Sequence, residues 1–95
     1  MPDNGIVCTQ AFTIGDIVRI GIYNSDKSYF TSQKQGSVTR TNILGVEDSV
    51  QVSWTGENQA QAYFDEEGCA NIQKKSGANW IGAGPTTYNE AGQKQ

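Results

Sequence analysis

Residues 49–54 read Ser-Val-Gln-Val-Ser-Trp, polar and apolar in strict alternation. A period of two sets Val50, Val52 and Trp54 on one side of an extended strand and Ser49, Gln51 and Ser53 on the other. After a Thr-Gly-Glu-Asn turn signal, residues 59–64, QAQAYF, alternate again, with Ala60, Ala62 and Phe64 on one face. The two runs predict a β-hairpin. Residues 16–23, DIVRIGIY, keep the same period. Val18, Ile20 and Ile22 share one face, and Arg19, Gly21 and Tyr23 share the other. No 12-residue window has the three-and-four apolar spacing of an amphipathic helix. The two prolines, Pro2 and Pro85, stand near the ends and leave the middle free to pair. The expected fold class is all-β.

The other segments fill in around these strands. Residues 5–12, GIVCTQAF, are rich in β-formers and lead through Gly15-Asp16 into 16–23, which reads as a first hairpin. Residues 24–47 are polar and turn-rich apart from Tyr29-Phe30, and VTRTNILG within them fits a strand or an ordered loop equally. CANIQK at 69–74 precedes a Ser76-Gly77 turn and then ANWIGAG at 78–84. Residues 85–95 show no pattern and read as a flexible tail. At 95 residues the chain is one domain with a core of about 5–84. Six short strands joined by tight turns predict a small antiparallel sandwich or barrel.

Two cysteines allow one pairing, Cys8 with Cys69. It would staple a domain too short to rely on its core alone, whereas a cytosolic chain would hold two buried thiols. The N-terminal MPDNGIVC lacks a signal-peptide layout, which fits a mature secreted chain and a cytosolic start alike. The net charge of −3 offers no basic footprint for nucleic acid or an anionic membrane, and no apolar run approaches a membrane span.

Histidine is absent, which removes the commonest general base and the usual nucleophile-activating pairs. Two cysteines without histidine make a poor metal set. The adjacent Asp65, Glu66 and Glu67 would alternate faces in a strand and read as a solvated strand end. Gly82-Ala83-Gly84-Pro85 lacks the Gly-Lys-Ser/Thr ending of a phosphate loop. No catalytic residue, cofactor site or metal site is expected, and the chain is not expected to be an enzyme. Of the aromatics, Trp54, Phe64 and Trp80 fit interior positions, while Tyr29 and Phe30 fit either a contact site or a cover over the core.

DEEGC at 65–69, then ANIQKKSGAN, then WIGAG at 80–84 resemble the last two strands of the MAX effectors, the Magnaporthe avirulence and ToxB-like secreted proteins of plant-pathogenic fungi. IVCTQAF at 6–12 and DIVRIGIY resemble the first two strands, and SVQVSW and QAQAYF the third and fourth. The likeness covers about 55 residues and leaves 24–47 as an insertion between strands two and three. It implies a six-stranded antiparallel β-sandwich of two three-stranded sheets, with Cys8 bonded to Cys69. It further implies a secreted virulence effector, a monomer that either stays outside the host cell or is translocated into it. Such a protein binds a plant host protein, such as a heavy-metal-associated domain or an immune receptor, and is not an enzyme. An exposed strand 16–23 would offer Arg19 and Tyr23 to that partner, with Tyr29 and Phe30 beside them. A small secreted antimicrobial or killer-type toxin and a carbohydrate- or protein-binding module are the alternative readings.

Overall fold

The computed structural model describes residues 12–45, 49–64, 69–82 and 86–95. The described residues form seven strands: β1 Ile17–Tyr23, β2 Phe30–Thr41, β3 Val50–Trp54, β4 Gln61–Tyr63, β5 Ile72–Ser76, β6 Asn79–Ile81 and β7 Thr87–Tyr88. They form one sheet in the order β4-β3-β2-β1-β5-β6-β7. Every neighbouring pair is antiparallel. The all-β expectation therefore holds. The strands are joined in one continuous sheet, however, rather than in the two three-stranded sheets expected.

Local signals explain the turns. Gly15, Gly56 and Gly77 all adopt positive φ at the chain reversals read from sequence. At the first of these, the Asp16 carboxylate also accepts the Thr13 backbone N–H at 2.7 Å, closing the turn into β1. β5 and β6 pair from Ser76↔Asn79 outward, a two-residue hairpin at Gly77-Ala78.

The largest departure is β2. The stretch expected to be an insertion is a 12-residue strand between β1 and β3. Two bulges conceal it. Ile20 faces Lys34 while Gly21 faces Ser32, so Gln33 is unpaired; Val38 faces Val52 while Arg40 faces Gln51, so Thr39 is unpaired. Each bulge reverses which face the following residues occupy. The strand expected within 5–12 lies outside the described residues up to Gln10 and Ala11, and the two neighbours of β1 are β2 and β5.

The sheet buries both faces. On one, Val18, Val38, Val50, Val52, Trp54 and Ile72 pack with Phe12 and Cys69, and Ile20 and Tyr63 lie against them. Burying side chains of this size contributes about 1.5–3 kcal/mol each. On the other face, Tyr23, Phe30 and Tyr88 form an aromatic triangle, with ring centroids 4.8 Å, 5.6 Å and 6.5 Å apart. Gly21 is needed here, because a Cβ would meet the Thr31 carbonyl and stand 2.9 Å from the Phe30 ring.

The tail expected at 85–95 is instead part of the fold over its described residues. Tyr88 is buried and its hydroxyl donates to the Lys27 carbonyl at 2.6 Å. Phe30 N–H donates to the Gly92 carbonyl at 2.8 Å and Lys94 N–H to the Ser28 carbonyl at 2.9 Å. A chain segment with no sequence period can be fixed this way, by one buried aromatic and by backbone groups that need no side-chain pattern.

Candidate partner-binding edge

The surface expected to meet a partner is mostly interior. Arg19 is only 2% exposed. Its guanidinium lies 4.4 Å from the Trp80 ring and 5.0 Å from the Phe30 ring. Its N–H groups donate to Gln73 Oε1 at 2.7 Å, the Glu90 carbonyl at 3.0 Å and the Asn89 carbonyl at 3.1 Å. Burial pushes the Arg19 pKa down, while the charge of Glu90 and the Tyr23 hydroxyl pull it back up. Phe30 is fully buried and Tyr23 is half-buried, its hydroxyl accepting Gln73 Nε2 at 3.2 Å. Of the four expected contact residues only Tyr29 is exposed. The strand itself is central, not an edge. Alternation placed Arg19 and Tyr23 correctly on a shared face; it did not show that β6, β7 and the C-terminal residues cover that face.

The sheet has two edges, and they differ. β7 is sheltered: Gln95 N–H donates to the Thr87 carbonyl at 3.0 Å, Asn89 N–H to the Gln93 carbonyl at 2.9 Å, and Tyr88 bridges to Lys94. β4 has β3 on one side, and no described strand pairs on the other.

Its position follows from packing. Tyr63 faces Val50 and Gln61 faces Val52 across the β3–β4 ladder. The core side of β4 is therefore that of Tyr63, with an exposed Gln61 on the same side, one residue out of step with the expected Ala60, Ala62 and Phe64. Phe64, expected inside, is 45% exposed. The Tyr63 ring decides the register. It packs edge-on to Trp54 at 6.5 Å, and its hydroxyl accepts Trp54 Nε1 at 3.1 Å. Two small alanine side chains offer far less apolar area.

The resulting edge, Gln59 to Phe64, carries no charge, proline or glycine. The β3–β4 pairing has no bulge. These are the devices that usually blunt an exposed edge. The nearest described acid, Glu57, is neutralised by Lys34 at 2.6 Å, a contact that holds the Lys34 pKa up. The signal for this site was present in the sequence as a run of alternating glutamine and alanine.

No group of three or more metal-ligating side chains occurs among the described residues. The acidic run 65–67 lies outside the described residues. No helix among the described residues is long and apolar enough to cross a membrane. No protein-family model, curated protein or solved structure matches this chain.

Proposed function

We propose that this chain is a protein-binding module that accepts an extended segment of its partner on the outer side of β4. The observation that carries the reading is the outer side of β4, on which no described strand pairs, beside a β7 edge that residues 93–95 shelter. Main-chain hydrogen bonds along such an edge supply affinity, and alternate side chains supply selectivity. Tyr63 and the exposed Phe64 add apolar surface at one end of it. An edge this short gives a small, transient-class interface.

The resemblance to the MAX effectors supplies the setting: a secreted fungal effector, not an enzyme, that acts on a plant host protein. The disulfide belongs to the same proposal. Cys69 is fully buried, no free cysteine occurs among the described residues, and Cys8 is the chain's other cysteine. So does a two-leaf form. The halves β4-β3-β2-β1 and β5-β6-β7 are joined by three residue pairs, Val18↔Lys74, Arg19↔Gln73 and Ile20↔Ile72, and in this proposal they stand for the two sheets that the resemblance implies.

A pairwise binding screen of the purified chain against plant proteins tests this reading. The expected outcome is a partner that binds the wild type and is lost with Ala62→Lys, but retained with Tyr29→Ala. Ala62 is exposed, so lysine there blocks the edge without disturbing a core. The reading is overturned if every partner found binds the Ala62→Lys protein as tightly as the wild type.

A further inference from the structure

We infer that residues 87–95 are a ligand that the chain carries in cis. They fill a groove between β6 and the start of β2, and a partner loop that makes the same Asn-Glu-x-Gly turn can take their place. The groove is lined by Arg19 of β1, Phe30 of β2, Lys75 of β5 and Trp80 of β6, and nothing in it comes from β4.

The segment holds its own shape. Asn89 N–H donates to the Gln93 carbonyl at 2.9 Å, Gly92 N–H to the Asn89 carbonyl at 3.0 Å and Gln95 N–H to the Thr87 carbonyl at 3.0 Å. The Asn89 side chain closes the turn, accepting the Gln93 N–H at 2.8 Å and donating to Gln93 Oε1 at 3.1 Å. A hairpin closed in this way loses little further freedom on docking.

The groove meets the hairpin through backbone on both sides. On one, Tyr88 pairs with Trp80 and Thr87 with Ile81. On the other, Phe30 N–H donates to the Gly92 carbonyl at 2.8 Å and Lys94 N–H to the Ser28 carbonyl at 2.9 Å. Two positions are then read by type. The Glu90 carboxylate accepts Trp80 Nε1 at 2.9 Å, with Lys75 Nζ 3.7 Å away. Gly92 has a φ of 97°, and a Cβ there would meet the Phe30 carbonyl, so glycine is required. Arg19 fixes the class of occupant, because its guanidinium donates to the Asn89 and Glu90 carbonyls together. A buried charge needs oxygens aimed at it. A peptide turn has carbonyls to offer, where a helix uses its own on internal bonds.

Tethering gives the segment an effective concentration of about millimolar, so a free peptide competes poorly until the chain's own segment is weakened. Fluorescence anisotropy of a labelled peptide of residues 86–95, titrated with the full chain, reads the exchange. Gly92→Ala in the chain should tighten peptide binding by about tenfold over the wild type, because the groove is open more often. Glu90→Gln in the chain should act in the same direction more mildly, and it decides the matter should Gly92→Ala prevent folding. In the peptide the same substitutions should act the opposite way, with Gly92→Ala weakening binding to the Glu90→Gln chain by about tenfold. Adding Ala62→Lys to that chain should change nothing.

Peptide binding no tighter to the Glu90→Gln chain than to the wild type overturns the inference. So does a Gly92→Ala peptide that binds as tightly as the native one, or peptide binding abolished by Ala62→Lys. A partner of the β4 edge can be found or missed in each of these cases, so the two readings fail separately.

Discussion

Arg19 carries a full charge inside the protein, and every hydrogen bond it makes there is to a neutral oxygen. The surrounding rings of Trp80 and Phe30 compensate through their π faces. Removing the side chain strands Gln73 and two backbone carbonyls at once. Arg19→Ala should cost about 3 kcal/mol in urea unfolding, and Arg19→Lys about half of that, since an ammonium cannot reproduce the planar fork. A loss below about 1 kcal/mol for Arg19→Ala would mean water replaces these bonds. Glu90 sets a pH dependence at the same place. Its carboxylate accepts Trp80 Nε1 at 2.9 Å, and that bond, with the charges of Lys75 and Arg19, holds its pKa below the ordinary value of 4.5. A carboxylate depressed by folding stabilises above its unfolded pKa, and the contribution is lost as pH falls through the folded value. The acid limb of the stability curve should therefore flatten in Glu90→Gln, measured by urea midpoints from neutral pH down through 4.5. At this scale the sequence showed which tryptophans go inside. It could not show Arg19 going inside, because alternation gives the side of a strand and not what covers that side.

Among the elements, β1, β3 and β5–β6 were legible because each keeps one parity between its turns. β2 was not. Of its 12 residues only Phe30, Gly36 and Val38 are buried. Their spacings of six and two read as one face, but the unpaired Gln33 between the first two puts Phe30 on the opposite face from Gly36 and Val38. Bulges also make β2 sensitive at a point that no apolar count would mark. Gly21 sits directly across from the first bulge, facing Ser32. Gly21→Ala would push a methyl into the Thr31 carbonyl and the Phe30 ring. It should cost about 2–3 kcal/mol. Gly15→Ala serves as the control, since nothing lies within 4 Å of its added Cβ, although its positive φ brings a smaller backbone cost. Equal losses at the two positions, by thermal or urea unfolding, would show that crowding at the bulge is not what fixes Gly21.

Taken whole, the molecule is two meanders joined at one seam. Among the described strands, all pairs but one are sequence neighbours; the exception is β1 with β5, where Ile20 meets Ile72. The legible part of the fold was the local part, since hairpins announce themselves through period and turn residues. The seam was invisible, because nothing in β1 or β5 names the other. It is also the step that must wait during folding, as a loop of about 52 residues has to close before any contact repays it. The proposed Cys8–Cys69 bond would stand just outside that seam. With it formed, the two strands are tethered through about 15 residues instead of about 52, and the closure penalty falls by roughly sixfold in rate. The oxidised chain should thus refold several times faster than the dithiothreitol-reduced chain in stopped-flow tryptophan fluorescence, and be about 4 kcal/mol more stable. Equal refolding rates would show that the seam forms after the barrier. The bond's larger effect would then be on how long the native protein lasts once folded, more than on how fast it assembles.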